Sequence, residues 1–172
     1  WTLAVVPELD DLTVGGLIMG FGVESSSHKF GLFQSICASF DLVTADGQCV
    51  RCSPTENADL YYLIPWSHGT LGFLVAAELK IIPAKRFIRV HYQPVYSLDE
   101  MVEAFEEASR KTGENDFVEG LVYSRDKAVI MRGTFANDIE SDGTFNAIGR
   151  WYKPWFYKHA ETYLTNRQAG VE

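Results

Sequence analysis

"DDLTVGGLIMGFGVESSSHKFG", residues 10–31, sets five glycines (Gly15, Gly16, Gly20, Gly22 and Gly31) and three consecutive serines among apolar residues of the kind that build cores rather than linkers. Glycine permits positive φ and lets a ligand touch the main chain, whose N–H groups can bind anionic oxygens without a cationic side chain. An acidic protein can hold a pyrophosphate in this way; tight-turn packing is the alternative. The spacing matches neither G-x-G-x-x-G nor the Walker pattern with its lysine, so neither a Rossmann fold nor a P-loop is predicted.

Around this stretch lies a chain of 172 residues, 47% hydrophobic, long enough for one domain or for a domain plus part of a second. Its formal charge of -8 and scattered Lys and Arg exclude a nucleic-acid module, which needs a basic stripe. The three cysteines, Cys37, Cys49 and Cys52, are a poor start for a disulfide framework and favour a reduced compartment or a cytosol-facing surface. Cys49 and Cys52 have C-x-x-C spacing. No second such pair exists, however, and positions i and i+3 of a strand point to opposite faces, so free thiols and no metal are expected. The longest apolar run, Leu71–Ala77, falls far short of the roughly twenty residues a membrane-spanning helix needs. The chain opens on Trp1 with no basic leader or cleavage pattern, and is expected to be an internal piece of a longer protein, any anchor lying upstream.

Further along, "ICASFDLVT" (36–44) and "QCVRCS" (48–53) read as two antiparallel strands joined at Ala45-Asp46-Gly47. Residues 57–64 predict a short helix that Pro65 stops. "GFLVAAELKIIP" (72–83) reads as a largely buried strand with Leu79 and Ile81 on one face. "RFIRVHYQPV" (86–95) is a strand with one polar face. Ser97 and Glu100 then form a capping box for a helix over 98–111, with Leu98, Met101, Val102, Phe105 and Ala108 on its apolar stripe. Its wet face carries the pairs Glu106 with Arg110 and Glu107 with Lys111, and Gly113 ends it. "FVEGLVYS" (117–124) and "AVIMRGTFA" (128–136) form a further hairpin, which makes residues 86–136 an open unit with too few strands to cover its helix. After a break at 137–143, "RWYKPWFYKHAETYL" (150–164) holds six aromatics between Trp151 and Tyr163. It reads either as a surface-capping helix after Pro154 or as an aromatic patch facing a ligand or membrane. The fold class is α+β.

The order of Pro7, Thr13-Val14-Gly15-Gly16, Gly20-Phe21-Gly22, the serines, Phe30-Gly31 and Gly69-Thr70-Leu71-Gly72-Phe73-Leu74-Val75 resembles the second half of the FAD-binding domain of vanillyl-alcohol-oxidase-type flavoproteins, over residues 1–84. Four longer blocks, "VVPELDDLTVGGLIMGFGVESSSHKFGLFQ", "IPWSHGTLGFLVAAELKIIPAK", "DFVEGLVYS" and "YKPWFYKH", are similar to the delta-24 sterol reductase family across nearly the whole chain.

The resemblance implies residues 1–84 as the C-terminal half of the FAD-binding domain and residues 85–172 as the beginning of an α+β substrate-binding cap. It implies FAD as cofactor with NADPH as hydride donor, a sterol reduced at its side-chain C24–C25 double bond, and a cytosol-facing place on the endoplasmic-reticulum membrane, held by a segment outside this chain. The implied cofactor positions are Pro7 and Glu8; Thr13, Val14, Gly15 and Gly16 as the pyrophosphate-contacting turn; Ser25, Ser26, Ser27, Phe30 and Gly31 near the ribityl chain and ring; and Gly72, Phe73, Leu74 and Val75 as the late flavin-lining strand. The family's earlier half-domain would supply the other wall of the site, so this chain alone is expected to bind FAD weakly or not at all. An acid must protonate the second alkene carbon in a dry site. Glu24 is the first candidate, ahead of His28, His68 and Tyr62, although a capping carboxylate is its plainer role. Two other readings stand: an FAD oxidase or dehydrogenase of alcohols or hydroxy acids, and a non-enzymatic interaction module with a degenerate flavin site.

Overall fold

A computed structural model describes residues 1–110, 112–147 and 150–172, which divide into two compact units, Trp1–Pro83 and Ala84–Glu172. Both mix helix and strand, so the chain is α+β.

In the first unit β1 (Thr2–Leu3) leads to α1 (Val14–Met19) and α2 (Ser27–Phe30), followed by a tight 3-10 turn at Phe33–Ile36. β2 (Cys37–Val43) and β3 (Cys49–Cys52) are the expected hairpin. Its turn works because Gly47 takes φ +80° while the Thr44 N–H donates to the Gln48 carbonyl at 2.9 Å. α3 (Ala58–Leu63) matches the predicted short helix. β4 (Phe73–Leu79) adds to the other side of β2, giving the order β3-β2-β4, all antiparallel.

The single buried strand expected over 72–83 is instead two. At Lys80 the chain leaves the sheet, its N–H donating to the Ile36 carbonyl at 2.8 Å, and β5 (Ile81–Ile82) pairs with β1. Nor is β4 largely buried. It is an edge strand of this sheet, turning Leu74, Ala77 and Leu79 to the core while Phe73 stays 79% exposed and Val75 and Ile81 are also open. The core is built from large side chains: Ile18, Phe33, Phe40, Leu42 and Ile64 are all fully buried. Tyr61 of α3 stacks on Phe40 at 5.3 Å between centroids and donates its hydroxyl to the Cys37 carbonyl at 2.9 Å.

The second unit is a four-stranded antiparallel sheet with a helix on each face. β6 (Phe87–Val95), α4 (Leu98–Ala108), β7 (Phe117–Ser124), β8 (Lys127–Ala136), α5 (Phe156–Asn166) and β9 (Gly170–Val171) give the strand order β7-β8-β6-β9. Alternate residues of the central strand β8 serve the two faces: Ala128 and Ile130 meet Ala104 and Ala108 of α4, whereas Val129 and Met131 meet Ala160 and Leu164 of α5. The expected open unit is thus closed, since β9 supplies a fourth strand and α5 a second cover.

The capping box of α4 forms with a shift. Ser97 accepts from the Glu100 N–H at 3.2 Å, while the Glu100 carboxylate reaches back to the Tyr96 N–H at 2.9 Å. The helix stops at Ala108, three residues before the predicted end, and Asn115 donates to the Ala108 carbonyl at 2.9 Å. Its predicted stripe is rotated: Ala104 and Ala108 are buried and Met101 packs beside them, but Leu98 and Val102 are exposed. Small residues win the inward positions because they let the helix approach the sheet. Glu107 pairs with Arg132 of β8 at 3.3 Å; Lys111, its predicted partner, lies outside the described residues. Among the described residues, no helix is long and apolar enough to cross a membrane.

Candidate functional site

The glycine stretch contains two short helices, α1 and α2, joined by irregular backbone, and Gly15 and Gly16 lie in the first turn of α1. Thr13 sits in extended conformation and its Oγ1 accepts from the Gly16 N–H at 3.1 Å, so Thr13 is the N-cap of α1. Leu17 and Ile18 then fall on the buried face. Gly15, Gly16, Gly20 and Gly22 all lack positive φ; of the five, only Gly31 has it, at +80°. The individual glycines differ sharply in what surrounds them. A β-carbon on Gly15 would meet nothing within 4 Å, whereas on Gly16 it would lie 2.9 Å from Thr13 Oγ1, and on Gly20 2.7 Å from the Gly16 carbonyl oxygen. Gly15 is therefore open main chain, and Gly20 is required by packing.

The carboxyl end of α1 is closed from a distant segment. Trp66 and His68, both in the left-handed region at φ +66° and +50°, donate their N–H groups to the Ile18 and Met19 carbonyls at 3.4 and 3.0 Å. Non-glycine residues held there cost about 1–3 kcal/mol each and persist only where tertiary structure over-determines them. His68 contributes through its main chain while its side chain is exposed, as is that of Tyr62.

Two of the predicted segments are tied together. Glu24 Oε2 accepts from the Glu8 N–H at 3.0 Å, the Glu24 N–H donates to Ser27 Oγ at 2.9 Å, and Ser26, fully buried, donates its hydroxyl to the Ala4 carbonyl at 2.8 Å. Residues 4–8 and 24–27 thus form one bonded cluster, with Pro7 and Ser25 half-buried within it. Burial pushes the Glu24 carboxyl up from its ordinary value, the Glu8 N–H pulls it down, and the negative charge of Glu8 raises it. Phe30 and Gly31 follow at the end of α2, where the Gly31 N–H closes on the Ser27 carbonyl at 2.9 Å. Gly72–Val75 belong to a different framework, the start of edge strand β4. There Gly72 has φ +148°, and a β-carbon would come within 2.3 Å of the Val43 carbonyl oxygen. Phe73 and Val75 point away from this core and Leu74 into it.

Cys49 is exposed and Cys52 buried, on opposite sides of β3, and all three cysteines are free thiols. Burial raises the Cys37 thiol to about 12.

Sequence reasoning missed a polar cluster in the second unit. Glu172 Oε1 lies 2.6 Å from His159 Nε2 and accepts from the Tyr163 hydroxyl at 2.8 Å, while Glu172 Oε2 accepts from Asn146 Nδ2 at 3.0 Å. The Tyr163 ring stacks on buried Tyr92 at 4.5 Å, and burial raises both phenols. Beside this cluster is a cavity of about 270 Å³ lined by Phe87, Ile88, Val90, Phe145 and Val171 together with Arg86, Arg89, Asp138 and Glu140. The only local signal was the unusual density of Tyr and His on α5. β9, the two-residue strand beside β6 that directly precedes the cluster's Glu172, is too short to show periodicity.

No family model matches the chain. At 28% identity over 144 residues, covering 77% of this chain and 27% of the relative, it is similar to cytokinin dehydrogenase 9 of Oryza sativa subsp. japonica. Much nearer are the delta(24)-sterol reductase of Rattus norvegicus, 58% identical over 172 residues (100% of this chain, 33% of the relative), and that of Arabidopsis thaliana, 46% identical over 177 residues (97% and 32%). The chain belongs to the delta(24)-sterol reductase family, and it spans about a third of the length of the curated relatives it matches.

Proposed function

We propose that these residues are the C-terminal half of a vanillyl-alcohol-oxidase-type FAD-binding domain (1–84) and the beginning of a substrate cap (85–172) in an enzyme that reduces the side-chain C24–C25 double bond of sterols. The observation that carries this reading is similarity running without a break through both units, at 58% identity, to proteins named for that reaction. FAD, reduced by NADPH, would supply the hydride.

The chain's own residues would bind and orient. Gly15, where a β-carbon would meet only open space, is the position at which a ligand oxygen can reach the main chain. Thr13, Val14 and Gly16 frame it. The cluster of Pro7, Glu8, Ser25, Ser26 and Ser27, with Phe30 and Gly31, would form one wall, and Gly72–Val75 another with Phe73 and Val75 presented outward. Ser26 would act as a tie, since its hydroxyl is already engaged with Ala4. In the second unit the cavity beside Tyr92 combines apolar side chains suited to part of a sterol with charged ones, Arg86, Arg89, Asp138 and Glu140. The place of the whole protein would be the cytosolic face of the endoplasmic-reticulum membrane.

The test uses the full-length protein. Gly15→Val is expected to keep the circular-dichroism spectrum of the wild type and lose the bound-flavin absorption; equal flavin content at equal folding would refute the assignment of this turn. Turnover of a sterol with a C24–C25 alkene, and none of small alcohols or hydroxy acids, is expected. The reverse preference would make the protein an oxidase or dehydrogenase, and no flavin at all in the wild type would make it an interaction module. For Glu24 the tether role predicts that Glu24→Gln, which still accepts from the Glu8 N–H, retains sterol reduction while Glu24→Ala loses flavin. Loss of reduction in Glu24→Gln with flavin retained would assign it proton donation instead.

A further inference from the structure

Residues 150–158 read Arg-Trp-Tyr-Lys-Pro-Trp-Phe-Tyr-Lys, with five aromatics, three cations and no carboxylate. The aromatics are not used to seat α5, since Ala160 and Leu164 do that. Trp151 is 93% exposed and Trp155 75%, and Tyr152, Phe156 and Tyr157 are open as well. They form one surface: Arg150, Trp151, Lys153, Trp155 and Phe156 border a single open depression, and Trp151 meets Tyr152 edge to face at 5.8 Å. Lys153 donates to the Asn146 side chain at 2.6 Å, and the Asn146 amide stands between it and the Glu172 carboxylate.

The composition of this patch selects its partner. Trp and Tyr rings are amphipathic and concentrate at the headgroup level of bilayers. Lys and Arg stems lie along apolar surface while their heads reach outward, which lets cations and aromatics work on the same plane. Arg150, Lys153 and Lys158 make a local excess of positive charge in a chain of net charge -8, a pattern drawn to anionic lipid. The carboxylates that flank the segment do not break it: Asp142 is engaged by Arg89 at 2.5 Å, and Glu161 comes only after the run. A second copy of the same patch would set like charges against each other.

We infer that residues 150–158 dock on the headgroup layer of an anionic bilayer, with Trp151 and Trp155 inserted beside the glycerol backbone and Arg150, Lys153 and Lys158 on lipid phosphates. This attachment is separate from any spanning segment and does not depend on the reaction proposed above.

The experiment uses the full-length protein with vesicles of phosphatidylcholine, with and without phosphatidylserine, carrying acyl-chain-brominated lipid as a tryptophan quencher. Quenching is expected for the wild type, and most of it is expected to vanish in the Trp151→Phe/Trp155→Phe variant, which keeps the aromatic surface. Lys153→Ala and Lys158→Ala are each expected to lower partition onto the anionic vesicles, or the quenching there if another segment holds the protein, by roughly fivefold. Equal quenching in wild type and the double tryptophan variant would overturn the inference. So would a concentration-dependent blue shift of Trp151 and Trp155 emission without lipid, which would make the patch a protein interface.

Discussion

The two units bury their apolar residues in opposite ways. The first packs large side chains, Phe33, Phe40, Ile18, Leu42 and Ile64, beneath short helices and loops whose paths are set by single backbone positions such as Gly72, Gly20, Trp66 and His68. In the second, helix faces of alanine, Ala104 and Ala108 on α4 and Ala160 on α5, lie against a regular sheet. One core depends on backbone conformations that few residues can adopt, and the other on close approach of regular elements. The first is the arrangement suited to presenting main chain to a ligand, because irregular backbone leaves amides and bare Cα atoms at the surface.

The contrast is broken most directly at Gly72. Gly72→Ala is expected to destabilise the first unit by roughly 3 kcal/mol or more, because a left-handed φ and a backbone clash act together. Hydrogen exchange resolved by residue should show protection lost over β2 and β4 and kept in β6–β8; uniform loss, or none, would show that the units do not differ as argued.

Ala160→Leu is the counterpart in the second unit. Overpacking at a fully buried alanine against Val129 and Met131 is expected to cost about 1–3 kcal/mol, read as a shift of the denaturation midpoint with the first unit's exchange unchanged. If the helix can rise off the sheet freely, the cost falls to nothing and the close-approach argument fails.

Within the glycine stretch the comparison is sharper and smaller. Gly20→Ala is expected to lose about 1–2 kcal/mol through its 2.7 Å approach to the Gly16 carbonyl oxygen. Gly15→Ala, in a helix with open space around it, is expected to gain about 0.5–1 kcal/mol. Thermal melts of the two variants should move in opposite directions. Movement in the same direction would mean that the two glycines are not separated into packing and open main chain.

The smallest effect is silent at neutral pH. Cys37 and Cys52 both titrate above the ordinary thiol value of 9.0 because burial disfavours the thiolate, Cys37 at about 12. A raised acid contributes stability that is complete below its unfolded value and is lost as pH rises through its folded value. The first unit's stability should therefore be flat up to about pH 9 and decline above it. Tyr92, Tyr123 and Tyr163 start from 10.0 and are also raised by burial, so the second unit's decline should begin about one pH unit later. Urea denaturation from pH 8 to 11, followed by the Cys37→Ala/Cys52→Ala variant, checks this: the first unit's onset should move up towards 10.

What could be read from sequence differs between the units for the same physical reason. β6, β7, β8 and the start of α4 were legible because alternation, the Ser97–Glu100 box and the hairpin break are local signals. α1 was partly legible: Thr13 before Val14, with Leu17 and Ile18 at helical spacing, is an N-cap signature that the glycine content obscured. For the proposed site, the positions 7–8, 13–16, 25–27, 30–31 and 72–75 come from the family resemblance, and Glu24 from its place beside them. That Glu24 ties one segment to Glu8, or that Gly15 is open and Gly20 closed, could not be read from sequence.

By itself the sequence determined the α+β class, the strand and helix periods of the second unit, the family resemblance and the charge that excludes a nucleic-acid module. These depend on composition and on neighbours within a few residues. Only the tertiary structure decided that Lys80 leaves the sheet to meet Ile36, that Gly170 and Val171 complete a sheet beside His91 and Tyr92, and that Trp151 and Trp155 stay outside while Ala160 goes in. Each of these is a choice among alternatives of similar local energy. It is settled by which distant backbone group needs a hydrogen-bond partner and by how closely two elements can approach.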